Sequence, residues 1–117
     1  MSWNKNNKYH AKPTVIDGIK FDSTKEGKRY QELKLLEKSG AIWDLKLQVK
    51  YELIPAQYMY INGKNRCIEK ARNYFADFVY TDKRGVHVED TKGFKTDVYK
   101  LKKALMLYVH GIMIEEV

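Results

Sequence analysis

The stretch "NYFADFVYTDKRGVHVEDTK", residues 73–92, decides the fold. Two runs rich in valine and aromatic residues, 73–81 and 85–92, flank the turn sequence "DKRG" and predict an antiparallel hairpin. Alternate residues of a strand share a face. Val86, Val88, Asp90 and Lys92 therefore fall together, with His87, Glu89 and Thr91 on the other side. The same parity groups Phe75, Asp77 and Val79, so an acid interrupts an apolar row on each strand. A regular register around the turn brings Asp77 and Asp90 close to one another, with Lys92 on the same side and Glu89 facing away.

Burying a carboxylate is costly unless it is paired or binds a metal. Two readings of Asp77, Asp90 and Lys92 follow, and the spacing leaves both open. One is a structural ion pair near a strand end. The other is a functional site, where a divalent cation relieves the repulsion of the two acids and the lysine balances charge or binds an anion.

Upstream, "DLKLQVKYEL" (44–53) alternates strictly and predicts a long half-buried strand, with Leu45, Leu47, Val49, Tyr51 and Leu53 on one side. Pro55 ends it, and residues 56–72, with the turn signal "INGKN", predict a basic hairpin or loop leading to Arg72. Before the strand, "DSTKEGKRYQELKLLEKSGAI" marks a helix at both ends: Ser23 as N-cap, Gly40 as stop, and Tyr30, Leu33 and Leu36 as its apolar stripe. Glu26 lies on the same stripe. It completes a capping box with Ser23 or turns toward the sheet as a third acid, and the two roles compete for one carboxylate. "TVIDGIKF" (14–21) reads as a tight hairpin around Asp17-Gly18.

Downstream, "TDVYKLKKALMLYVHG" (96–111) predicts a second helix, capped by Thr96, faced by Val98, Leu101, Leu105 and Tyr108, and stopped at Gly111. "IMIEEV" closes the chain as a short strand. The core order is helix, three strands, helix, strand: an α+β fold with helices flanking one sheet. It forms a single domain of 117 residues, with a basic arm over residues 1–12.

Composition narrows the function. Lysine and arginine number 22 against 15 acids, a net charge of +7 that favours a polyanionic partner over mere solubility. No apolar run reaches the ~20 residues of a membrane helix, and the N-terminus lacks the apolar stretch of a signal peptide. Cys67 stands alone, which rules out an internal disulfide or a cysteine-built zinc site and suits a reducing cytoplasm. His10, His87 and His110 share no ligand spacing.

A glutamate-bearing helix, then "YFADF", then "EDTKG", then a lysine-rich helix resembles the PD-(D/E)XK, or restriction-endonuclease-like, nuclease superfamily. The segments "FDSTKEGKRYQEL" and "GIMIEEV" are closest to its small phage and prophage endonucleases, and the resemblance covers residues 14–117. It implies a restriction-endonuclease-like core and an endonuclease hydrolysing DNA in phage recombination, repair or processing, in the host cytoplasm. Asp77 and Asp90 match the two motif acids, Lys92 the motif lysine and Glu26 the helix-borne acid; Ala76 replaces the name-giving proline. The implied cofactor is Mg²⁺ or Mn²⁺ on Asp77, Asp90, the Thr91 carbonyl and Glu26, with Gln48 lining the cleft. Lys95, Lys100, Lys102, Lys103 and Arg72 are the expected DNA contacts. The alternatives are a dimeric junction resolvase and a non-catalytic nucleic-acid-binding protein that retains the fold.

Overall fold

The computed structural model describes residues 12–117; the basic arm, apart from Lys12, and His10 lie outside the described residues. The architecture is α+β. A small hairpin of β1 (Thr14–Ile16) and β2 (Ile19–Phe21) precedes α1 (Thr24–Ser39). Strand β3 (Trp43–Ile54) leads into a separate ribbon of β4 (Gln57–Ile61) and β5 (Lys64–Glu69). Then come β6 (Arg72–Asp82), β7 (Gly85–Asp90), α2 (Asp97–His110) and β8 (Glu115–Glu116). The central sheet is mixed, in the order β3-β6-β7-β8, with β8 parallel to β7 and the other pairs antiparallel. The expected core order therefore holds, with one hairpin added in front and another inserted between the first two sheet strands.

Both helix ends follow from their caps. Ser23 Oγ accepts the Glu26 N–H at 3.1 Å and Thr96 Oγ1 accepts the Tyr99 N–H at 3.1 Å. Gly40 and Gly111 take φ of 84° and 67°, the left-handed conformation that glycine adopts without a Cβ clash. Gly27 serves packing instead: a Cβ there would lie 2.7 Å from Thr14 Cγ2, so its absence lets β1 sit directly on α1.

The core divides into two clusters. One joins Phe21, Tyr30, Leu33 and Ile42 to Phe78 and Tyr80, with Leu45 and Leu47 against them. The other joins Leu53, Tyr74, Ala76, Val79 and Val88 to Tyr99, Met106 and Ile114, with Val49 and Tyr51 against them. This corrects the single apolar row expected along β3. Leu45 and Leu47 pack on the α1 side, whereas Val49, Tyr51 and Leu53 pack on the α2 side, although all five are odd-numbered.

The row changes side at Gln48, which takes φ of 51°. A left-handed residue turns the strand about its axis and reverses the parity of everything after it. The pairing count stays regular across this point, with Leu47 opposite Phe78 and Val49 opposite Ala76, so β6 switches in step at Asp77. The grouping of Phe75, Asp77 and Val79 on one face is corrected for the same reason: Val79 is in the core and Phe75 is 50 % exposed.

The helix faces also differ from their apolar stripes. Helix α1 buries Glu26, Gly27, Tyr30 and Leu33, while Leu36 is largely exposed. Helix α2 buries Tyr99 and Met106 instead of the expected face, leaving Val98, Leu101 and Tyr108 exposed and Leu105 partly buried. Among the described residues no helix is long and apolar enough to cross a membrane.

Candidate active site

The switch point is where the acids meet. Asp77 sits on β6 at the residue where the sheet changes the helix it faces, so groups from the α1 side and the α2 side both reach it. From the α1 side, Glu26 accepts the Asp22 N–H at 3.3 Å through one oxygen and Gln48 Nε2 at 3.1 Å through the other. Gln48 Nε2 also donates to Asp77 Oδ1 at 3.2 Å, so a single amide bridges the two carboxylates. The roles expected to compete for Glu26 thus coexist: one oxygen holds backbone at the helix start and the other faces the site.

On the other side of Asp77, Oδ2 accepts both the N–H and the hydroxyl of Thr91, at 2.8 and 2.9 Å. Asp90 is 1 % exposed and has both oxygens engaged: Tyr74 OH donates at 2.7 Å and the Lys92 N–H at 2.8 Å. The register pairs Phe78 with Glu89, so Asp77 and Asp90 are the next residues across the ladder, as the hairpin geometry required.

Strand β7 ends at Asp90, two residues earlier than expected, so parity does not aim Lys92. It is aimed by Tyr99, whose ring lies 5.5 Å below the ammonium. Lys92, Asp77 and Gln48 line one cleft of about 290 Å³, closed on the α2 side by Tyr99, Val98 and Lys102. Glu26 and Asp90 are buried behind the lining, bonded to it through Gln48 and Tyr74 respectively.

The electrostatics follow from this crowding. Burial, and then the neighbouring Asp77, push the Glu26 carboxyl up to about 7. Burial also raises Asp90, with Asp77 adding to the shift and the Tyr74 hydroxyl and Lys92 opposing it. Among the described residues no three acidic, histidine or cysteine side chains already form a metal-holding group. The donor chemistry nevertheless fits a hard divalent cation: the side chains offered are carboxylates, Glu26 and Asp90 are raised first by burial and further by Asp77, and a cation would offset both effects. Binding would exchange hydrogen bonds that Asp90 and Gln48 now make.

The remaining candidates separate. Lys102 lines the cleft, but Lys95, Lys100 and Lys103 border a different hollow around Glu116, and Lys103 pairs with that acid at 3.2 Å. Arg72 is tied to Glu69 at 2.8 Å and to the Lys70 carbonyl at 2.6 Å. Glu89 faces away from the cleft as expected, yet it is 1 % exposed. Arg29 grips it through two bonds of 2.8 and 2.6 Å, and the Tyr80 hydroxyl donates to it as well. Sequence reasoning missed Tyr74, Tyr99 and the Thr91 hydroxyl, because each reads as a core or turn residue until its polar atom is placed.

Over residues 6–112 the chain matches the family described as "Protein of unknown function (DUF1064)", and it belongs to that family. No curated protein and no solved structure matches it.

Proposed function

We propose that this chain is a metal-dependent endonuclease that hydrolyses DNA phosphodiester bonds. One observation carries the reading: Glu26 and Asp77 share the Gln48 amide at a break in the sheet, Asp90 follows across the ladder from Asp77, and an exposed cleft lined by Lys92 opens beside them. Proteins accept such clustering of acids where a cation or a reaction uses it.

Asp77 and Asp90, with the Thr91 carbonyl and Glu26, would hold Mg²⁺ or Mn²⁺. When bound, the ion supplies polarisation of the scissile phosphate and a lowered proton affinity for the attacking water. Lys92, steadied over the Tyr99 ring, neutralises charge that develops on the phosphate. Gln48 keeps Glu26 and Asp77 in fixed relation, and Thr91 fixes the second oxygen of Asp77. Lys102 draws the DNA backbone into the cleft. The net charge of +7 favours the polyanion, and the lone cysteine suits the cytoplasm of a bacterial host.

The test is Mg²⁺-dependent cleavage of duplex, single-stranded and branched DNA by wild type, Asp77→Asn and Lys92→Ala. Each substitution is expected to lower the rate by about 100-fold or more, the scale on which charge stabilisation at a reacting centre acts. Undiminished cleavage by both variants overturns the assignment. A dimeric junction resolvase is the second reading, favoured by the exposed Val98, Leu101 and Tyr108 on α2. It requires a dimer by sedimentation and paired cuts in a four-way junction.

A further inference from the structure

We propose that the β4–β5 ribbon is a DNA-binding arm that enters a groove of duplex DNA and anchors it for the cleft. The proposal rests on the nuclease reading for its polyanion, but the ribbon's own chemistry points the same way. Every residue of both strands is exposed, and the strands pair only with each other. An isolated two-stranded ribbon is marginal in water. This one nevertheless presents Tyr58, Met59, Tyr60 and Ile68 to solvent, between 45 and 76 % exposed.

Its unpaired charge is positive. From Leu53 to Ile68 the sequence contains no acid, while Lys64 and Arg66 lie on the ribbon and Lys70 follows it. The one acid at its root, Glu69, is held by Arg72. Lys64 and Arg66 meet no carboxylate among the described residues. The register sets Arg66 opposite Met59 and Lys64 opposite Ile61, so both cations lie on one face. Tyr60 opposite Asn65 and Tyr58 opposite Cys67 make the other face.

Geometry and charge together select the occupant. The major groove of B-DNA admits a two-stranded ribbon. Five paired residues extend about 17 Å at strand rise, roughly half a turn of the duplex. A second copy fits badly, because a two-fold contact sets like surface against like and the ribbon's one acid, Glu69, is already held by Arg72. The arm is also joined directly to the site: Arg72 opens β6, and Asp77 follows five residues later on that strand.

The experiment compares full-length wild type with K64E/R66E, and with K64Q/R66Q as a milder variant on the same face, which should weaken binding less. Binding to a labelled 20-base-pair duplex is measured with EDTA present over a salt series. Cleavage of thymidine 5′-(p-nitrophenyl) phosphate with Mg²⁺ reads the catalytic site without a groove. Thermal midpoints and sedimentation check fold and mass. K64E/R66E should weaken duplex binding about tenfold or more and reduce the log–log salt slope by roughly 2, one for each lost phosphate contact. Cleavage of the small ester should stay unchanged. If wild type cuts DNA but the variant binds duplex with the same affinity and slope, the arm proposal alone fails. If wild type neither binds nor cuts DNA, the nuclease reading fails and the arm proposal with it. A variant that changes sedimentation mass but not DNA binding makes the ribbon a self-association element and overturns the proposal.

Discussion

Removing Arg29 should destabilise the fold more than any surface charge can. Glu89 is 1 % exposed and accepts two bonds from the guanidinium, at 2.8 and 2.6 Å. Arg29→Met removes both and leaves the buried carboxylate with only the Tyr80 hydroxyl. Breaking one partner of a buried pair costs about 3–5 kcal/mol. The Arg29 side chain is 25 % exposed, so solvent screening places the expected loss at the lower end, about 3 kcal/mol. At this chain length that corresponds to a fall of roughly 12 °C in Tm. Glu89→Met should cost less, because Arg29 keeps Glu32 at 3.1 Å and can reach water. The double variant should recover to within about 1 kcal/mol of wild type, since an apolar pair of similar size replaces the buried charges. Urea denaturation of all four proteins at pH 7 gives the coupling energy. A loss below about 1 kcal/mol for Arg29→Met, with coupling under roughly 0.5 kcal/mol, would refute the idea that this pair locks β7 beneath α1.

Tyr74→Phe leaves one oxygen of buried Asp90 without its donor and should cost about 2 kcal/mol in urea denaturation; a change below about 0.5 kcal/mol contradicts that bond. Gln48→Gly relieves the left-handed backbone by about 1 kcal/mol but loses the bridge between Glu26 and Asp77, so stability should stay within about 1 kcal/mol while DNA cleavage falls. Full cleavage by that variant would remove Gln48 from the site. His87 is raised above its ordinary value, chiefly by Asp82 and then by Glu115. A raised folded pKa gives stability that is complete below the unfolded pKa and lost as pH rises through the folded one. His87→Gln should therefore be less stable than wild type at pH 6, with the gap closing by pH 9; a gap independent of pH defeats this account.

Much of the fold was legible because its signals are local. Ser23, Gly40, Thr96 and Gly111 mark helix ends through bonds and dihedrals within a few residues, and each holds. The turns at Asp17-Gly18, Asn62-Gly63 and "DKRG" likewise place their hairpins. The approach of Asp77 to Asp90 follows from counting residues back from a turn. Faces were less legible. Parity assumes an unbroken strand, and one left-handed residue at Gln48 moves half of an alternating row to the other side of the sheet. In α2, the stripe from Val98 to Tyr108 has helical spacing, but spacing does not say which face meets the sheet; Tyr99 and Met106 do.

By itself, then, the sequence determined the elements, their order and the pair Asp77 and Asp90, because caps, turns and alternation act over short distances. Only the tertiary structure decided how Glu26 reaches Asp77. That contact spans 22 residues to Gln48 and 29 more to Asp77, and it exists because the sheet turns where those chains cross. It also decided that Glu89, which parity sets aside as a residue facing away, is a buried anion held by Arg29. A carboxylate's burial depends on what is packed above it, and α1 lies some 60 residues away in sequence.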